Sequence, residues 1–143
     1  MATFVLVHPA WFGGWCWKKV ATILRARGNE VFAPTLTGLG ERAHLANREV
    51  GLGTHIEDVA SVLKFEDIRD AILVGNSFGG MVITFADRMP ERIAHVVYLD
   101  ETVSVDALTT GYLALSFHVG NDVIDCRHCN IEFAIDQVGK LKN

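Results

Sequence analysis

A serine between two glycines, placed where two apolar patterns meet, is the feature that most constrains this chain. Residues 71–74 form a short continuous apolar run, which is typical of a strand buried on both faces. Residues 78–89 place apolar side chains at helical spacing, and Pro90 ends that pattern. The intervening segment 75–79 reads Gly-Asn-Ser-Phe-Gly, so the sequence predicts a strand, a sharp turn that carries Ser77, and a helix.

This setting for a G-x-S-x-G motif is typical of a nucleophile elbow, in which the serine hydroxyl stands above the edge of a sheet. Gly75 and Gly79 permit close packing around the turn, where a Cβ atom would clash. The hydroxyl of Ser77 would lie at a helix N-terminus, where the dipole stabilises developing negative charge. Acyl transfer also needs oxyanion donors, and we predict the backbone N–H groups of Phe78 and Ala10 for that role.

Two other interpretations of the motif stay open at the level of sequence. In the first, Ser77 only caps the following helix. In the second, the turn binds phosphate, which is disfavoured because the segment lacks both the G-x-G-x-x-G pattern and the P-loop lysine.

The rest of the chain alternates strand and helix patterns. Apolar runs predict three more strands, at 3–7, 31–34 and 93–99. Helical stripes begin at residues 17 and 56. This alternation indicates an α/β fold, with a mostly parallel sheet of about four to five strands flanked by helices.

Local signals after these elements are weaker. Thr54 and Glu57 predict a capping box at the start of the second helix. His44 and His55 have no evident partner in the sequence and are predicted to be surface or capping residues. Residues 112–119 are compatible with a strand and 130–142 with a short helix. We therefore divide the chain into a core domain, 1–106, and a divergent tail, 107–143, that is not an independent domain.

Composition excludes several classes of protein. The chain has 13 Lys and Arg against 17 Asp and Glu, and this net charge of −4 argues against a nucleic-acid partner. A hydrophobic content of 50% argues against disorder, yet no apolar run approaches the roughly 18 residues of a membrane span. The first residues lack the basic n-region of a signal peptide, so we expect cytoplasmic localisation and free thiols.

Four segments together resemble the α/β-hydrolase superfamily, and they lie at 4–8, 13–17, 34–42 and 75–81. The similarity extends from residue 2 to about residue 106. The most similar branch is that of the small bacterial esterases related to plant methylesterases and hydroxynitrile lyases. The resemblance implies a serine hydrolase acting on carboxylic esters, with a small-molecule ester as its substrate and neither a cofactor nor a metal.

The resemblance also implies roles for single residues. Ser77 matches the family nucleophile, and Ala10 and Phe78 match the two oxyanion-hole amides. His8 matches a histidine that is structural in the family rather than the catalytic base. Pro9 stands where the family has glycine, and proline fixes φ and removes an N–H group, which predicts a reshaped oxyanion loop.

The family's catalytic acid and base follow the nucleophile, but the tail of this chain departs from the family pattern as a truncated or divergent end would. His128 is our candidate for the base, with His118 less favoured and His95 too far below the sheet edge. Asp100, after the fourth strand, is the candidate acid, and Asp122 is its rival.

Because the usual C-terminal histidine is missing, the alternative function is a catalytically impaired or non-catalytic relative that binds a small ligand. A hydroxynitrile lyase is a third hypothesis, which would need a cationic side chain to bind cyanide. Trp11 and Phe12 are candidate substrate-binding residues, with coverage of the sheet as their alternative role.

Two further features concern assembly and metals. An uncovered sheet edge predicts a homodimer. Cys126 and Cys129 form a lone C-x-x-C motif, and unpaired thiols are favoured there over a zinc site, which needs four ligands.

Overall fold

The computed structural model describes residues 1–102, 114–119 and 122–126, and within these ranges it contains one six-stranded sheet. The strands are β1 (Thr3–Val7), β2 (Glu30–Phe32), β3 (Ala71–Asn76), β4 (Ile93–Thr102), β5 (Ala114–Val119) and β6 (Asp122–Cys126). The helices are α1 (Lys18–Ala26), α2 (Leu52–Phe65) and α3 (Phe78–Val82). Short 3₁₀ segments lie at Gly14–Trp17, Gly40–Leu45 and Ile83–Arg88.

The strand order is β2-β1-β3-β4-β5-β6, and the first four strands in this order are parallel. The predicted α/β fold with a mostly parallel sheet is thereby confirmed. β5 pairs antiparallel with β4, and β6 pairs antiparallel with β5. The sheet therefore has one strand more than the four to five predicted, because the sequence pattern assigns no strand to the segment that forms β6.

The two faces of the sheet are buried in separate hydrophobic clusters. Phe4 and Leu6 of β1 pack with α1 in one cluster, whereas Val5 and Val7 pack with α2 in the other. Successive side chains of a strand point to opposite faces, so a strand covered on both sides must be apolar at every position. This burial explains the continuous apolar runs from which the strands were predicted.

Helices α2 and α3 differ from their predicted bounds. α2 begins at Leu52 after Gly51, and the Thr54 hydroxyl accepts a hydrogen bond from the Gly51 N–H at 3.3 Å. The capping box predicted from Thr54 and Glu57 is therefore wrong, since Thr54 lies inside the first turn. The predicted helix over 78–89 is α-helical only to Val82 and continues as a 3₁₀ segment. Three consecutive β-branched residues, 82–84, coincide with this change, as expected from their low helix propensity.

Two expectations concern the periphery of the sheet. Because β5 pairs with β4, the strands at the two ends of the described sheet are β2 and β6. The homodimer predicted from an uncovered edge stays a prediction.

In the described part of the chain, no helix is long and apolar enough to cross a membrane. The helix predicted over 130–142 lies outside the described residues.

Candidate active site

Ser77 lies in the sharp turn between β3 and α3, as predicted. Its backbone has φ +50° and ψ −114°, a left-handed conformation that residues other than glycine rarely adopt. The Ser77 N–H donates to the Leu99 carbonyl at 3.0 Å, and the Ser77 carbonyl accepts from the Gly80 N–H at 2.9 Å. Strain of this kind costs about 1–3 kcal/mol and persists only where surrounding contacts enforce it, which is common at functional sites.

The Ser77 side chain makes no capping hydrogen bond to α3. A serine whose role was only to cap the helix would accept a bond from an N–H group of the first turn. The geometry therefore disagrees with the interpretation of Ser77 as a simple helix cap.

The two glycines of the motif are required by close backbone contacts. A Cβ atom on Gly75 would lie 2.5 Å from the Gly79 carbonyl oxygen. A Cβ atom on Gly79 would overlap the Val7 carbonyl oxygen and lie 2.9 Å from that of His8. Helix α3 thus packs directly on the carboxyl end of β1, and the predicted steric reason for both glycines is confirmed.

A pocket of about 640 Å³ opens beside Ser77. Its volume is within the range of about 300–1,000 Å³ that is usual for small-molecule sites. The pocket is lined by Gly75, Ser77, Phe78, Gly80, Met81, Thr84, Tyr98 and Leu99.

The loop after β1 presents aromatic side chains to solvent. Trp11, with φ +69°, is 88% exposed and Phe12 is 44% exposed, so neither serves mainly to cover the sheet. The Phe12 and Trp15 rings lie 5.6 Å apart, whereas Trp17 is buried in the cluster around α1. Trp11 and Phe12 are not among the residues that line the pocket at Ser77, and their part in substrate binding stays a prediction.

His8 is fully buried at the start of the same loop. Its Nε2 accepts a hydrogen bond from the Leu36 N–H at 3.0 Å, so its Nδ1 carries the proton and donates to the Pro9 carbonyl at 2.8 Å. Desolvation by burial lowers the pKa of His8 below 6.5, against a smaller opposing effect of the Pro9 hydrogen bond. A neutral ring that bonds to backbone on both sides fits the structural role that the family resemblance implies.

Acidification is therefore expected to reduce the free energy of unfolding through His8. The unfolded chain binds this proton near the ordinary pKa of 6.5, and the folded chain binds it only at lower pH. The contribution is present above pH 6.5 and is lost as pH falls through the folded pKa, by at most about 1.4 kcal/mol per pH unit.

Urea unfolding between about pH 7.5 and 5 would measure this loss, and proton NMR would follow the His8 ring directly. The His44→Gln variant, which changes an exposed histidine, serves as the matched control and should retain the decline. A His8 titration midpoint at or above 6.5 would contradict the prediction.

Residues that the sequence analysis missed connect α2 with the long loop after β2. The Thr37 N–H and hydroxyl donate to the two carboxylate oxygens of Asp58, at 2.6 and 2.7 Å. His55 Nε2 lies 2.9 Å from the Thr37 carbonyl oxygen. His55 is buried, so its predicted surface or capping role is wrong. The signal was present in the sequence, because His55, Val59 and Leu63 share one face of α2 at a spacing of four.

The structure gives the backbone positions of both candidate acids. Asp100 follows Leu99 in β4 and pairs with Ser116, so its backbone adjoins the strand position that binds Ser77. Asp122 begins β6, two strands away. Neither placement tests a catalytic role, and both assignments stay predictions.

The structure places two of the three candidate histidines. His95 pairs with Ile72, four residues below Leu99, or about 13 Å along the strand. The His118 backbone lies opposite that of Tyr98, which lines the pocket. His128 lies outside the described residues, as does Cys129, so the predicted base and the C-x-x-C motif are not described by the structure.

Comparison with known proteins assigns the family. The family model described as "Alpha/beta hydrolase family" matches residues 4–127. The chain belongs to the α/β-hydrolase family. It is 54% identical over 104 residues to the carbendazim hydrolyzing esterase of Nocardioides sp. (strain SG-4G), covering 72% of this chain and 43% of that protein. It is 33% identical over 109 residues to putative methylesterase 15 of Arabidopsis thaliana, covering 75% of this chain and 24% of the relative.

Solved structures of the same family share this fold. An extracellular α/β-hydrolase from a Paenibacillus species matches with a TM-score of 0.64 at 30% identity, covering 77% of this chain and 49% of that one. A methylesterase from Arabidopsis matches with a TM-score of 0.63 at 31% identity, covering 73% and 45%. The resemblance of this α/β-hydrolase chain to the esterase and methylesterase branch is thereby confirmed. The chain spans less than half the length of these relatives.

Proposed function

We propose that this chain carries the nucleophilic serine of a hydrolase that acts on carboxylic esters. The main support for this proposal is the strained backbone of Ser77, which has φ +50° and lies in a glycine-bounded turn beside a pocket. An ordinary turn serine would relax to an unstrained conformation, whereas a nucleophile must be held above the sheet edge. Relatives named as esterases and hydrolases support the same reaction class.

In the proposed reaction, the Ser77 oxygen forms a bond to the ester carbonyl carbon, and the carbonyl oxygen takes the negative charge. The N–H groups of Phe78 and Ala10 donate to this oxyanion. Phe78 is the first residue of α3, a position whose N–H has no acceptor within the helix. Collapse of the intermediate breaks the bond to the alcohol oxygen, leaving the acyl group on Ser77, and water then releases the acid.

The proton of the Ser77 hydroxyl must pass to a base and then to the leaving alcohol. We propose a histidine for this role, with His128 as the candidate and Asp100, or its rival Asp122, as the acid that orients it. The assignment of Ser77 as the nucleophile does not depend on which of these residues is the base or the acid. Ser77 and the base are therefore tested by separate experiments.

We further propose that the substrate is a small ester. The pocket of about 640 Å³ accommodates a small molecule, and its wall combines Met81 and Tyr98 with the Thr84 hydroxyl. Trp11 and Phe12, exposed on the neighbouring loop, would contact an apolar group of the ester. The reaction as written needs neither a metal nor a cofactor.

Hydrolysis of p-nitrophenyl acetate by the full chain tests the function. Wild type and the Ser61→Ala variant, which changes a serine on α2 away from the pocket, should both release p-nitrophenol well above the blank. Release indistinguishable from the blank in both proteins, with folding verified by circular dichroism, would contradict the proposal.

A further inference from the structure

His55 makes contacts that its position on the apolar face of α2 does not require. Its ring is 7% exposed and belongs to the same face as Val59 and Leu63, where an aliphatic side chain would pack without polar atoms. The Thr37 carbonyl can only accept, so Nε2 donates this bond and His55 has the Nε2–H tautomer. Nδ1 is buried without a hydrogen-bond partner in the described part of the chain. Burying such an atom without a partner is unfavourable, and an aliphatic side chain at this position would avoid that cost.

The other side of the His55 ring contacts the turn at Ser77. The His55 and Phe78 rings meet edge to face, with centroids 5.5 Å apart and an interplanar angle of 89°. Edge-to-face contact is one of the preferred arrangements of aromatic pairs. Because Phe78 follows Ser77 directly, this contact fixes the residue whose N–H is one of the two proposed oxyanion donors.

Thr37 connects His55 with the second proposed donor. Asp58 binds the Thr37 N–H and hydroxyl, so α2 holds this residue through three hydrogen bonds. The preceding residue, Leu36, donates to His8, and His8 in turn donates to the Pro9 carbonyl next to Ala10. Three hydrogen bonds, linked through the backbone of Leu36 and Thr37, thus connect His55 with the loop that carries Ala10.

We infer that His55 is a positioning residue that holds both oxyanion donors in register, Phe78 through its ring and Ala10 through Thr37 and His8. This inference rests on the proposed function, since it assigns His55 to the oxyanion site of that same reaction. His55 does not touch the reacting atoms, so its effect is on geometry. Displacement of catalytic groups by about 1 Å can reduce turnover by about 100-fold.

Two variants separate the contacts of His55. His55→Phe keeps an aromatic ring against Phe78 but removes the donor to Thr37, whereas His55→Gln offers an amide N–H in place of Nε2–H. We expect His55→Phe to lower kcat for p-nitrophenyl acetate by about 10- to 100-fold with KM within about twofold, and His55→Gln to restore part of the loss. The backbone amide signals of Ala10 and Phe78 should move in the ¹H–¹⁵N spectrum of His55→Phe.

A control variant distinguishes positioning from loss of stability. Val20→Ala truncates a buried residue of α1 on the opposite face of the sheet, so it should lower stability while leaving kcat and both amide signals near their wild-type values. A His55→Phe protein with kcat within about twofold of wild type and unmoved Ala10 and Phe78 signals would overturn the inference. If Ser77→Ala left hydrolysis intact, the proposed role of Ser77 would be refuted. The amide signals of Ala10 and Phe78 would still show whether His55 positions these two residues.

Discussion

Replacement of Ser77 by alanine is expected to reduce kcat for p-nitrophenyl acetate by up to about 10⁶-fold. The variant removes the oxygen that forms the acyl bond, so only the stabilisation from the oxyanion donors and the pocket remains. KM should change little, because the pocket is lined by seven further residues. Initial rates measured beside an enzyme-free blank, with wild type at the same concentration, would check this expectation.

Ser61→Ala is the matched control for this prediction. It removes a hydroxyl oxygen from a residue of α2, where that hydroxyl donates to the Glu57 carboxylate at 3.3 Å. We expect its turnover to equal that of wild type. If Ser77→Ala retained turnover within about tenfold of wild type, the nucleophile would have to be another group.

Replacement of Gly79 by alanine is expected to prevent α3 from packing on β1. The new Cβ atom would meet the carbonyl oxygens of Val7 and His8, which belong to backbone and cannot rotate away as a side chain could. Overpacking of this kind costs about 1–3 kcal/mol or more, and domains are stable by only about 5–15 kcal/mol. We expect a loss of at least about 3 kcal/mol in the free energy of unfolding, measured by urea denaturation, or no cooperative transition at all.

Gly53→Ala provides the comparison for this backbone effect. Gly53 lies in α2, and a Cβ atom there would meet nothing within 4 Å. Alanine is the better helix former by about 1 kcal/mol, so this variant should be as stable as wild type or slightly more stable. A Gly79→Ala protein as stable as Gly53→Ala would show that α3 can move away from β1.

Local patterns predicted the parts of the molecule that depend on few neighbours. The run 71–74 and the stripe from Phe78 are read directly from hydrophobic periodicity, and the glycines at 75 and 79 restrict the turn between them to one close-packed form. The same argument predicted the parallel strands, because burial on both faces requires apolar side chains at every position.

Contacts between distant segments explain what the sequence did not predict. The bond from His55 to Thr37 joins residues 18 positions apart, and nothing local to either residue indicates it. The strand β6 depends on pairing with β5, since Asp122–Cys126 has no strong apolar alternation of its own. The start of α2 was missed because Thr54 accepts from Gly51 within the first turn instead of preceding the helix.

The roles of the acid and the base could not be derived from sequence for a related reason. A base is defined by its distance from the nucleophile rather than by its neighbours in the chain. Asp100 could be ranked because the predicted fourth strand, 93–99, ends directly before it. In the structure β4 continues to Thr102, so Asp100 lies within the strand, one residue after Leu99, which pairs with Asn76. No predicted strand end adjoins His128, so the sequence does not place it relative to Ser77.

Covalent labelling determines whether Ser77 is the nucleophile. The full chain is treated with a serine-directed fluorophosphonate, its intact mass is measured, and the modified peptide is identified by tandem mass spectrometry. We predict a single phosphonyl group on Ser77, present in Ser61→Ala and absent in Ser77→Ala. A phosphonyl group on any other residue of the wild-type chain, or a folded wild-type chain that takes up none, would contradict it.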